Sequence, residues 1–169
     1  TKIAWEIALK SKTSPSVIIT TRQKVPVIDY SKYESCKNAE HGAYIIKKEK
    51  HKNIDLIIMA TGSEVYPSLQ VAELLEKEGY SVRVVNFFSS MLFERQSEEY
   101  KESVLPSAIK KRLMVEAGMS TYWYKYIGSH GDHVSVDRFG ISAKAEDLAK
   151  VFGINKENIF QKAKDLIKA

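Results

Sequence analysis

Several short stretches of this chain carry side chains that could do chemistry. Arg22 follows a β-branched run, Ser16 to Thr21, and precedes Pro26. If that run is a strand, the guanidinium lies beyond its carboxyl end, where α/β proteins gather ligands. Its planar fork suits phosphate or carboxylate. An ordinary ion pair uses the same chemistry, and position alone leaves both open. Thr61-Gly62-Ser63 separates an apolar run from a helical period. Free N–H groups and the helix dipole attract anions at such a turn, which makes Ser63 a candidate anion site. There is no GxGxxG and no P-loop lysine, so a capping turn with Ser63 as N-cap is the stronger reading. His130-Gly131-Asp132-His133 gathers two imidazoles and a carboxylate. Its spacing matches no established zinc pattern, and a polar loop is expected. Glu116 and Asp137 have the chemistry of a general acid or base, but nothing fixes their separation, and salt bridges are the simpler account. Cys36 is the single cysteine, so no internal disulfide can form, which suits a reducing cytosol and a cytoplasmic protein. No catalytic residue and no metal ligand is assigned.

The elements that must hold these residues centre on Ile54 to Glu64. Ile54, Leu56, Ile57, Ile58 and Met59 form a short apolar run ended by Gly62, the pattern of a strand buried on both faces. Val65 to Gly79 follows at helical spacing, and Ser81 to Phe88 is the next strand. This is a βαβ unit with parallel strands. Upstream, Ile3, Ala4, Ile7 and Ala8 predict an amphipathic helix, and Ser16 to Thr21 a strand. That tail is too small to bury its own apolar faces and must dock on something. Asp29 to Gly42 reads as an irregular linker. Ala43 to Lys48 reads as an edge strand, turned toward the central strand by His51 to Asn53 and antiparallel to its neighbour. Phe93 to Val104 predicts one helix, Arg112 to Gly118 a strand and its turn, and Tyr122 to Ile127 a short helix. Val134 to Val136 predicts a strand, and Ala143 to Phe152 and Asn155 to Ala169 two last helices. The sum is an α/β fold: an open, mostly parallel five-stranded sheet with one antiparallel edge strand and helices on both faces.

Charge excludes little but narrows the partners. The net charge is +5, with 11 Lys/Arg against 5 Asp/Glu in residues 1–53 and 15 against 16 in the rest. Lys47, Lys48, Lys50 and Lys52 lack the interleaved aromatic residues of a nucleic-acid surface and read as edge-strand gatekeepers, so no nucleic acid is expected. No apolar run approaches a membrane span, and no membrane partner is expected.

Read as ordered strings, the sequence resembles transketolase at its C-terminal end. The strings are Ser14 to Gln23, Ala60-Thr61-Gly62-Ser63-Glu64, Phe93-Glu94-Arg95-Gln96 with Glu99-Tyr100, and Ser103 to Pro106. They continue with Val115-Glu116-Ala117-Gly118, Trp123 to Gly128 and Asp137 to Ala143. The resemblance implies that residues 1–28 are the tail of a pyrimidine-binding domain, 29–41 a linker and 42–169 the C-terminal domain. It implies an enzyme that transfers a two-carbon ketol unit from a ketose phosphate to an aldose phosphate in the pentose phosphate pathway. The enzyme would work as a homodimer with thiamine diphosphate and Mg²⁺ or Ca²⁺. The Gly-Asp-Gly motif that holds metal and diphosphate is not in this sequence, and the catalytic groups belong to the missing part. None of the cofactors is expected on this piece, which should be inactive alone and serve structure and dimerisation. Arg22 matches the family arginine that contacts the sugar phosphate. Lys24-Val25-Pro26 stands where Asn-Leu-Pro is frequent, and Lys144 where Pro is common. The alternatives are an independent α/β binding or assembly module, or one chain of a split enzyme.

Overall fold

A strand whose side chains alternate between two apolar clusters builds the centre of the molecule. The computed structural model describes residues 1–169, and in it β2 (Leu56–Ala60) is buried along its whole length. Leu56, Ile58 and Ala60 face one apolar cluster, and Ile57 and Met59 face another. A strand apolar on both sides needs cover on both faces. β1 (Ala43–Lys47), β3 (Val82–Phe87), β4 (Arg112–Val115) and β5 (Asp132–Val134) complete a five-stranded sheet in the order β1-β3-β2-β4-β5. β2 runs parallel to β3 and β4, and β4 parallel to β5. The expected fold class holds. β1 is the antiparallel edge strand, but its neighbour is β3 and not the central strand. The crossover helix brings β3 against one side of β2 and β4 takes the other, so only an outer edge remains for β1.

Helices α2 (Val65–Lys77) and α7 (Lys156–Lys168) cover one face of the sheet. Leu69, Ala72 and Leu75 pack there with Ile159 and Ala163. The other face is covered by α3 (Ser90–Glu94), α4 (Glu98–Val104) and α5 (Tyr124–Ile127). Its centre is Phe87, whose ring lies 5.2 Å from Phe93, 5.2 Å from Trp123 and 4.7 Å from Tyr126. The outer helix α6 (Ala145–Val151) buries no residue. The single helix expected over Phe93 to Val104 is two. Ser97 adopts an extended backbone and accepts a hydrogen bond from the Tyr100 amide, starting α4 afresh as its N-cap. β5 begins at Asp132, earlier than the expected Val134, and a 3-10 turn at Ser120–Trp123 leads into α5.

The N-terminal tail divides in two. Helix α1 (Lys2–Lys10) docks on this domain, with Ala4 buried and Ile3 against the α2/α7 cluster. The strand expected at Ser16 to Thr21 does not form, and Val17 and Ile19 are 85% and 91% exposed. A strand exists only through a ladder partner, and this chain offers residues 16–21 none. The stretch before β1 ends in a 3-10 helix, Cys36–His41, and turns at Gly42 with φ 87°.

Candidate functional site

The order of strands creates one crevice. From β2 the chain passes through α2 to β3 on one side, and β4 then lies on the other. The carboxyl ends of β2 and β4 therefore flank a topological switch point, where open α/β sheets bind ligands. Thr61 to Glu64 leave β2 at this point, and Glu116 to Gly118 leave β4.

Ser63 is not the N-cap of α2. Glu64 holds that position and no side chain caps the helix. The Ser63 hydroxyl instead donates to the Glu64 carboxylate at 2.8 Å. Glu64 is turned inward, beside the Ala117 backbone amide and near Glu116. Burial raises the Glu64 carboxyl above its ordinary value, against the bonds from Ser63 and the backbone amides. Burial also raises Glu116, and the charge of Glu64 adds to that rise. The Trp123 indole N–H donates to Glu116 and favours its ionised form. Neither carboxylate forms a salt bridge within the chain. Two such groups disfavour an anion at the Ser63 turn, a candidate for one; the crevice suits a cation.

The remaining candidates are put to structural use. Asp137 accepts the Ser120 amide at 2.7 Å and the Ser135 hydroxyl at 2.8 Å. These bonds hold its carboxyl below its ordinary value. The Ser135 hydroxyl also meets His133 Nδ1 at 2.7 Å. Asp132 accepts Lys162 Nζ at 2.7 Å, so this carboxylate is paired across to α7. No group of three or more His, Cys, Asp or Glu could hold a metal ion, so the residues present do not fit a metal–diphosphate centre. Cys36 is half-buried beside Tyr30 and Tyr44. Glu116 and Asp137 thus act in different bonds, one to Trp123 and one to the Ser120 turn. Glu64 and Trp123 are the site residues that sequence reasoning missed. The available signal was a carboxylate immediately after Thr61-Gly62-Ser63, at the mouth of the buried strand.

Arg22 lies outside this crevice. It is exposed on the extended arm, makes no salt bridge or side-chain hydrogen bond, and is flanked by Thr21 and Gln23, whose side chains bond each other.

Fold and site together define an open α/β domain with a carboxylate-lined switch point and an exposed arm that ends on an unpaired guanidinium. The family model of the transketolase-like TK C-terminal domain matches residues 42–155, and the chain belongs to that family. It is 50% identical over 161 residues to a transketolase of Aquifex aeolicus, covering 95% of this chain and 23% of that relative. A transketolase of Bacillus subtilis is 40% identical over 167 residues, covering 99% of this chain and 25% of the relative. Among solved structures, transketolase from Leishmania mexicana superposes with a TM-score of 0.87 at 35% identity, over 98% of this chain and 23% of that one. The chain spans about a quarter of the length of the curated relatives it matches.

Proposed function

We propose that this chain is the C-terminal part of a transketolase that moves a two-carbon ketol unit from a ketose phosphate to an aldose phosphate. In this reading residues 1–28 belong to the pyrimidine-binding domain, 29–41 form the linker and 42–169 the C-terminal domain. Thiamine diphosphate and its divalent metal are held by the part of the enzyme outside these residues. The chain itself supports the fold and the homodimer, in the cytoplasm, and is inactive alone.

The observation that carries the reading is the exposed arm. Likeness to the relatives runs through it as well as through the sheet. Its apolar residues Val17 and Ile19 lie open, as a strand does without its sheet. Arg22 at its end is unpaired and available to a sugar phosphate, a planar donor fork for a tetrahedral anion.

The test is a ketol-transfer assay on the 169-residue chain, alone and mixed with the separately expressed remainder of the enzyme, with thiamine diphosphate and Mg²⁺. Activity only on mixing supports the reading. No activity on mixing, with both pieces folded, favours an independent binding or assembly module.

A further inference from the structure

The carboxyl edge of the sheet carries a surface that the domain's own packing does not use. The loop after β4 and the loop after β5 are tied together: the Val136 amide donates to the Gly118 carbonyl at 2.9 Å, and the Ser120 amide to Asp137 at 2.7 Å. These two loops hold Met119, Tyr122, Phe139 and Ile141 at 66%, 56%, 96% and 47% exposure. Glu116 opens the first of these loops and Glu64 lies at the turn after β2, near the Ala117 amide; both are half-buried and neither forms a salt bridge within the chain. Exposed apolar side chains mark a surface that a partner can bury, and an unpaired, partly dehydrated charge beside them is costly until a partner's charge pairs with it.

We propose that this edge is the docking face for a segment of the enzyme outside these 169 residues, one that inserts an arginine or lysine between Glu64 and Glu116 and rests apolar side chains on Met119, Tyr122 and Phe139. The inference rests on the transketolase reading, which places about three-quarters of the enzyme beyond this chain. Charge selects the occupant. A second copy docking through the same edge would bring the carboxylate pairs face to face, and like charges across an interface repel. A cationic partner neutralises both carboxylates at once. Arginine fits best, because its fork can donate to two acceptors in one plane.

Hydroxyl-radical footprinting of the full-length enzyme and of the 169-residue chain tests this. Labelling of Met119, Tyr122 and Phe139 should be about fivefold or more lower in the full-length enzyme, since interface cores exclude solvent. Equal labelling overturns the proposal. Concentration-dependent protection in the 169-residue chain alone also overturns it, in favour of a second copy. In the full-length enzyme, Glu116→Lys should restore labelling, and Glu116→Gln should restore less of it. Phe139 is open to solvent, so Phe139→Asp should leave the 169-residue chain folded and still expose the edge in the full-length enzyme. Protection unchanged in both Glu116→Lys and Phe139→Asp overturns the proposal. Ketol-transfer activity of the unmodified full-length enzyme reads the parent proposal separately. An active enzyme with a fully labelled edge sinks the docking inference alone.

Discussion

Arg22 and Glu116 show how differently one charge behaves outside and inside a fold. Arg22 pays no desolvation on its arm, and the role proposed for it is to bind. In the full enzyme, Arg22→Ala should raise KM for phosphorylated sugars roughly tenfold to hundredfold, the worth of one charge-assisted contact, with kcat little changed. Steady-state kinetics with a phosphorylated and a non-phosphorylated acceptor check this, since only the former should respond. A large fall in kcat at constant KM would remove Arg22 from the binding role. Glu116 is the opposite case. Its carboxyl is raised in the folded chain above the ordinary 4.5, by burial and then by Glu64. Between those values the folded state holds more protons than the unfolded one. Stability therefore falls as pH rises from about 4.5 through the folded value, and stays lower above it. In the 169-residue chain, Glu116→Gln keeps an acceptor for Trp123 and removes the charge. Its urea midpoint should exceed that of the unmodified chain at pH 7, and the gap should close toward pH 4. Carboxyls that are lowered by their partners, such as Glu49 beside Arg83, lose stability in acid, but equally in both proteins. A gap that is constant from pH 4 to 7 would show that neither burial nor Glu64 raises the Glu116 carboxyl in the folded chain. Sequence reasoning settled on Ser63 because hydroxyls cap helices well. It missed Glu64 because whether a carboxylate turns inward depends on the β4 turn, which is 52 positions away and becomes a neighbour only in the folded sheet.

The elements followed the pattern of the chain wherever burial alone decided them. β2 and α2 were legible because a short continuous apolar run marks a strand buried on both faces and a 3.6-residue apolar period marks a helix, and β3 followed as the second strand of the βαβ unit. The pairing of β1 was not legible, because hydrophobic alternation says that a strand exists and not which edge is free. Nor was the break between α3 and α4, which rests on the backbone angles of Ser97. The clearest elemental constraint is the entry to β1. Gly42 turns the chain at φ 87°, and an added Cβ would meet Phe93 N at 2.2 Å and Ser89 O at 2.3 Å. Its own carbonyl accepts the Ser89 amide at 2.7 Å, so the backbones of this turn and of the start of α3 touch directly. Gly42→Ala must shift α3 away from β1 and also strain the turn. A loss on the order of 4 kcal/mol or more is expected, in the severe class of single substitutions. The comparison is Gly79→Ala, with φ 96° but nothing within 4 Å of the new Cβ, which should cost only the backbone strain of about 1 kcal/mol. Equal urea midpoints for the two variants would show that the contact at Gly42 relaxes freely.

At the scale of the molecule, the chain is an open sheet covered on both faces, with an exposed arm. Both apolar clusters are built from residues 28–167 apart from Ile3, and Ala4 is the only buried residue before Ala39. Residues 12–27 are exposed almost throughout and carry Lys12, Arg22 and Lys24. The stretch 137–144 is likewise exposed, with Arg138 and Lys144. Trypsin at low dose should therefore cut the 169-residue chain in these two places before it cuts any strand or covered helix, because cleavage needs a segment that can leave its ladder. Cutting at Arg22 or Lys24 releases α1 with the arm. The loss of Ile3 and Ala4 from the core should cost about 1–3 kcal/mol, and the residual domain should still unfold in one cooperative step. In the full-length enzyme both regions should resist the same dose for separate reasons: the arm because residues 16–21 gain a sheet, and residues 137–144 because the carboxyl edge is docked. Mass spectrometry of the fragments distinguishes them. Protection of the arm with continued cleavage at Arg138 would place the arm in the neighbouring domain and leave the edge bare. Protection of Arg138 with a cleaved arm would do the reverse. First cuts inside β2, β3 or α2 of the short chain would contradict the order of local stabilities that its burial implies.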